Sequence, residues 1–174
     1  MTKHDFKLHT IETAPEASRR KMEEVKQKYG RIPNFFAVAA ESPAAIDAYA
    51  SLSKIFSNTA LTPAEQQIVI LTASVENKCT YCVAAHSRGA KAAGIAEDMI
   101  EAIRNRSPLK DPKAEALRRI VSQIVEKRGW LSDADVQAFL SQGYAKSHLL
   151  DVIVGVSMKT LSNYINHLAD PPAE

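Results

Sequence analysis

Aromatic residues are scarce in this chain, at 6% of 174 positions, and cysteine occurs only twice. Few aromatics beside abundant alanine favour helices over sheets. Charge of one sign is not in excess: 22 Lys and Arg stand against 20 Asp and Glu. The two signs are interspersed, so no electrostatic footprint for nucleic acid or an anionic membrane stands out. The densest basic cluster, Arg104, Arg106 and Lys110, reads as a solvated helix end. No stretch is long and apolar enough to span a membrane, and Met1 to His9 is polar, without the apolar core of a signal peptide. The expectation is a cytoplasmic protein with neither nucleic-acid nor membrane partners. In a reducing compartment a close cysteine pair points to catalysis or metal binding rather than to a structural staple. What the chain does have is enough length and apolar content, 45% hydrophobic against 24% charged, for one folded domain over 1–174 with a real core.

Caps and breakers divide the chain into helices. Residues 1–13 read as a polar N-terminal arm. Ala14 to Tyr29 forms an exposed amphipathic helix that Gly30 is placed to cap. Pro33 breaks it, Asn34 caps a short helix, and Phe35 and Phe36 plug into the core. Ser42-Pro43 restarts a helix with Ala45, Tyr49, Leu52 and Phe56 on one face. Thr62-Pro63-Ala64-Glu65 is a capping box, and the apolar run Ile68 to Leu71 behind it reads as a buried helix. A helix over the cysteine stretch ends near Gly94. Further helices follow at Ala96–Asn105, from Asp111-Pro112 to Gly129, and from Ser132 to Gln142, with Trp130-Leu131 packing the turn between the last two. The final helix, about Ser147 to Ala169, is apolar nearly all round from Leu149 to Met158. It belongs at the centre of the fold or in a subunit interface. This is an all-α chain of about eight helices. An internal echo runs through it: Leu61-Thr62 before Ala64-Glu65 is similar to Leu131-Ser132 before Ala134-Asp135, and Ser74 and Tyr81 match Ser157 and Tyr164. It is consistent with an internal helical repeat or with chance among alanine-rich helices.

The chemistry lies in Glu76-Asn77-Lys78-Cys79-Thr80-Tyr81-Cys82-Val83-Ala84-Ala85-His86. Helix positions three and four apart share a face. Cys79, Cys82 and His86 therefore form one stripe, which Glu76 extends if the helix continues backwards. A helix start and the cation of Lys78 favour a thiolate near Cys79. His86 is placed as base or cationic partner, and Glu76 to orient it or relay a proton. Thiolate attack on the outer oxygen of a hydroperoxide gives a sulfenic acid, which a neighbouring thiol condenses to a disulfide. An external thiol then reopens it. The same residues also allow a zinc site, with Glu76, His148 or His167 as the fourth ligand, or two buried structural thiols beside a surface histidine. Val83 directly after Cys82 removes covalent haem attachment, and the lack of strands removes a thioredoxin fold.

The segment Asn77 to His86 resembles the core of the AhpD-like alkylhydroperoxidases, within the carboxymuconolactone decarboxylase superfamily. Ile32-Pro33-Asn34-Phe35-Phe36, Leu61 to Glu65, and Asn163-Tyr164-Ile165-Asn166-His167 resemble its peroxidase-related branch, so the likeness covers about residues 28–170. The resemblance implies an all-helical AhpD-like bundle with an internal repeat, homo-oligomers (trimers or hexamers), and peroxide reduction without a cofactor or metal. It implies that Cys82 meets the hydroperoxide substrate, Cys79 resolves it, His86 serves as the histidine of the site, and an external thiol or dithiol is the reductant. Two positions depart from the best-known members: Gln67 where they carry a glutamate, and Tyr81 where they carry a histidine. Gln67 cannot take a proton, so the relay falls to Glu76 or Glu65. The expected function is a thiol-dependent peroxidase; the alternative is a non-enzymatic redox-responsive or zinc-binding oligomer.

Overall fold

A computed structural model describes residues 2–173. They form nine helices and no strand: α1 (Glu16–Tyr29), α2 (Asn34–Ala39), α3 (Pro43–Ser57), α4 (Pro63–Glu76), α5 (Thr80–Ala92), α6 (Glu97–Arg104), α7 (Pro112–Glu126), α8 (Asp133–Leu140) and α9 (Lys146–Ala169). The fold is all-helical, as the caps foretold, with one helix more than the eight expected. The chain gathers into two compact units. One holds residues up to Leu52 and from Leu161 onward; the other runs from Ser53 to Thr160. Helices α3 and α9 each pass from one to the other.

In the first unit the polar arm is irregular yet tied down. The amide of Lys3 donates to the Ala169 carbonyl, and that of His9 to the Ala37 carbonyl. The buried His9 ring lies between the Thr13 carbonyl at 3.0 Å and Glu41 Oε2 at 2.8 Å. Phe35 and Phe36 are buried, and Phe35 meets Tyr49 edge-on at 4.5 Å. Asn34 does not cap α2. Pro33 occupies the cap position, and the Asn34 amide donates instead to the Pro172 carbonyl at 3.0 Å.

In the second unit α4 is the central element, packed against α5, α6 and α7. The capping box forms as the sequence indicates, with the Thr62 hydroxyl accepting from the Glu65 amide and the Glu65 carboxylate accepting from the Thr62 amide. Ser132 and Asp135 repeat the arrangement at α8, and Asp111 caps α7. Ile68 through Val75 is buried without interruption. Leu117, Ile120, Val121 and Ile124 are buried on α7, which packs against α4, and their burial is worth about 1.5–3 kcal/mol each. Helix α9 comes close through Gly155: a Cβ there would stand 2.7 Å from the Phe56 ring and 2.8 Å from Val69. Val152 and Val156 are buried, whereas Leu150 is 70% exposed. So α9 is neither wholly enclosed nor wholly superficial. Trp130 does not pack its turn: it is 86% exposed, because Arg128 and Gly129 both adopt positive φ and turn the chain outward before α8 begins.

Candidate functional site

The cysteines sit at a one-residue reversal between α4 and α5. Helix α4 ends at Glu76, with Asn77 as its C-cap. Lys78 takes φ 58°, its amide donates to the Val75 carbonyl, and the Cys79 amide to the Ser74 carbonyl. This is the Schellman pattern that closes helices, with lysine where glycine is usual. A left-handed lysine costs about 1–2 kcal/mol, a strain of the sort that collects at functional sites. Cys79 then becomes the N-cap of α5, and Cys82 falls in the first turn, where the helix dipole favours an anion. The stripe Cys79–Cys82–His86 therefore exists on α5, but the helix does not continue backwards to Glu76. The Glu76 carboxylate is engaged elsewhere: Oε1 accepts from Ser122 at 2.9 Å and Oε2 pairs with Arg106 at 3.1 Å.

Both cysteines are buried, and no disulfide joins them. A side-chain hydrogen bond joins Cys79 to Cys82. That bond first, then burial and the charge of Cys82, push the Cys79 thiol well up from its ordinary range. Cys79 is thus the member of the pair that holds its proton the longer.

A residue that the sequence did not single out completes the cluster. Lys159 on α9 is 1% exposed, hydrogen-bonds Cys82, and places its Nζ 2.7 Å from His86 Nε2. Its affinity for the proton falls below the usual lysine range: burial outweighs the charges of Cys82 and Cys79 and the bond to Cys82, which raise it. Half-buried His86 is held well below the usual histidine range by desolvation and then by the Lys159 charge. It is therefore neutral and accepts the lysine N–H. Cys82, Lys159 and His86 form one hydrogen-bonded chain. A lysine closing the apolar run of α9 was the available signal, but nothing local in sequence ties it to cysteines two helical hairpins earlier.

The other relay candidates are occupied. Glu65 caps α4, accepts from Tyr144 Oη at 2.9 Å and pairs with Lys113 at 3.1 Å. Burial opposes its charge, but the Thr62 bonds, Tyr144 and Lys113 prevail and hold it at about 2. Gln67 lies across Gly89, with Oε1 3.0 Å from where a Cβ of residue 89 would be. Tyr81 is half-buried in the first turn of α5. The zinc arrangement is not assembled: among the described residues no three His, Cys, Asp or Glu side chains gather to hold a metal. The Lys159 side chain stands beside Cys82 and His86, His148 Nδ1 accepts from the Ala145 amide, and the His167 ring stacks near Tyr164.

A strandless bundle with a paired-thiol helix start defines the class: an AhpD-like helical protein. Residues 40–123, just under half of the chain, match the carboxymuconolactone decarboxylase family. A solved structure from Ralstonia eutropha JMP134, a peroxidase-related protein with an alkylhydroperoxidase AhpD core, is 18% identical at a TM-score of 0.85, covering 99% of this chain and 92% of that one. A peroxidase-related protein from Silicibacter sp. TM1040 is 17% identical at a TM-score of 0.82 over the same shares. A cysteine-to-alanine variant of the debrominase Bmp8, in complex with 2,3,4-tribromopyrrole, is 13% identical at 0.81, again over 99% and 92%. A comparison with curated proteins found no match. At these identities the likeness establishes the fold, and the debrominase indicates that this fold carries more than one activity. Among the described residues no helix is long and apolar enough to cross a membrane.

Proposed function

We propose that this protein is a thiol-dependent peroxidase. Cys82 attacks the outer oxygen of a hydroperoxide, and Cys79 condenses with the resulting sulfenic acid to form a disulfide. An external thiol or dithiol reduces that disulfide by exchange. The observation that carries this reading is the ordered pair at the start of α5: a protonated Cys79 donating to Cys82, which in turn touches a buried lysine. That arrangement selects one sulfur as nucleophile and holds the other ready to resolve. His86 stands neutral at the far end of the chain from Cys82 through Lys159, where it accepts from the lysine and holds it in place. Glu76 enters this proposal as a support of the α4–α5 junction through Ser122 and Arg106, rather than as the proton relay. A homo-oligomer in the cytoplasm completes the reading, in keeping with the exposed Leu150 on α9.

The deciding experiment adds a stoichiometric hydroperoxide to the reduced protein and counts free thiols. Rapid loss of both, with a sulfenate trapped at Cys82 in Cys79→Ser, supports the assignment. Oxidation no faster than that of a free thiol ends it.

A further inference from the structure

Lys159 lies in a place that disfavours cations: it is 1% exposed, and burial lowers its affinity for the proton. A fully buried ammonium is costly unless an anion and hydrogen bonds compensate it. Its neighbours in the second unit are His86, Cys79 and Cys82. His86 is neutral there, and Cys79 keeps its proton. Cys82, which hydrogen-bonds the lysine, is the group of the three whose ionisation would compensate the ammonium. Lysine and thiolate therefore stabilise each other's charge, and whatever removes one removes the reason for the other.

We propose that Lys159 is the acid of this site: its ammonium pairs with the Cys82 thiolate and gives its proton to the alkoxide that leaves when the peroxide bond breaks. The Cys82 sulfur forms an S–O bond as the O–O bond breaks. Sulfur is oxidised by two electrons, the hydroperoxide is reduced, and the departing alkoxide takes the Lys159 proton to become an alcohol. Lys159 is left as a neutral amine, still donating to His86 Nε2. With the thiolate gone, burial favours that neutral form. Cys79 then attacks the sulfenic sulfur: the S–S bond forms, the S–O bond breaks, and hydroxide leaves with the Cys79 proton as water. An external dithiol supplies two electrons and two protons on reduction, one proton restoring Cys79 and the other recharging Lys159. His86 positions the amine throughout. The proton-transfer half of this inference rests on the thiol-peroxidase reading; the pairing of Lys159 with the Cys82 thiolate does not.

The test uses full-length protein carrying Cys79→Ser, so that Cys82 is the one thiol, with Lys159→Met and Lys159→Arg added separately. Iodoacetamide alkylation across pH reads the thiolate without any peroxide. Stopped-flow sulfenate formation with cumene hydroperoxide reads the acid step. Lys159→Met is expected to move the alkylation midpoint up by about one pH unit or more and to slow sulfenate formation about tenfold to a hundredfold. Lys159→Arg keeps the charge but cannot release a proton, so the midpoint returns while sulfenate formation stays slow. Helical circular dichroism checks each variant, and Lys159→Gln replaces the methionine variant if that one does not fold. An unmoved midpoint in the neutral variants overturns the pairing, and full peroxide reactivity with arginine overturns the acid role. A midpoint that depends on Lys159 in a protein indifferent to hydroperoxide keeps the pairing and ends the peroxidase reading instead.

Discussion

Lys159 Nζ stands 2.7 Å from His86 Nε2, two basic groups sharing one proton across 73 residues of sequence. They cannot both be charged at that distance, and desolvation, then the lysine charge, hold His86 well below its ordinary range. The consequence for stability has a definite sign. An unfolded chain protonates its histidine near pH 6.5, while the folded one keeps His86 neutral. Stability is therefore fully present above about pH 6.5 and falls as pH drops below it, by at most about 1.4 kcal/mol per pH unit from this residue. His86→Gln is expected to flatten that decline in urea titrations between pH 6.5 and 4.5. The same variant is expected to slow hydroperoxide-driven disulfide formation about tenfold or more, since the lysine loses its positioning acceptor. A decline with pH as steep as in the wild type would show that His86 is not buried neutral.

Glu76 gives a contrast. Its carboxylate bridges Ser122 on α7 and Arg106 just beyond α6, so its removal is expected to loosen the helix packing that holds the α4–α5 turn. Glu76→Gln is expected to cost about 1 kcal/mol of stability, read as a Tm lower by a few degrees. Peroxide-dependent thiol loss is expected to stay within about threefold of wild type. A loss of a hundredfold or more, of the size that general acid–base groups contribute, would return the proton relay to Glu76.

The contrast between these two residues marks where the sequence was readable. Caps are local: Thr62 with Glu65, Ser132 with Asp135 and Asp111 before Pro112 each act within one turn, and all three appear in the structure as the spacing indicates. The Cys79–Cys82–His86 stripe is local in the same way. Glu76 was misplaced because the break lies at Lys78, whose φ of 58° carries no glycine or proline to announce it. Trp130 was misplaced because a large apolar side chain suggests burial, and only the geometry at Arg128 and Gly129 turns it out. Lys159 was invisible because its partners lie on another helix, and a lysine's charge gives no hint of burial until a thiolate is placed against it. The all-helical class was legible; the cation that completes the candidate site is a tertiary fact.

Glu65 shows how a residue that looks catalytic can be structural. It serves the α4 cap, Tyr144 and Lys113 at once, and its folded value of about 2 lies below the unfolded 4.5. The carboxylate therefore contributes stability that is present above pH 4.5 and lost as pH falls toward 2. Glu65→Gln is expected to destabilise by about 1–2 kcal/mol at pH 7, after allowance for solvent screening. The difference from wild type is expected to shrink progressively between pH 4.5 and 2 in denaturant titrations. A constant difference across that window would mean that the lost packing of the side chain, not its charge, sets the effect.

Gly155 tests whether the lysine is placed by helix packing. It lies one turn before Lys159 on the same face of α9, and there α9 passes close to Phe56 and Val69. An added methyl would sit 2.7–2.8 Å from a ring edge and a branched methyl, closer than side chains tolerate. Neither neighbour is free to yield: Val69 and Phe56 are both buried, and Val69 belongs to the uninterrupted core of α4. The helix must shift instead, and it carries Lys159 with it. Gly155→Ala is expected to cost about 1–3 kcal/mol by overpacking. It is also expected to raise the pH midpoint of Cys82 alkylation, although residue 155 touches neither sulfur nor nitrogen of the site. Destabilisation with an unmoved midpoint would mean that Lys159 follows Cys82 and His86 through side-chain adjustment alone. A raised midpoint would show that α9 sets the distance between amine and thiolate, and that the smallest residue in the helix is what lets it do so.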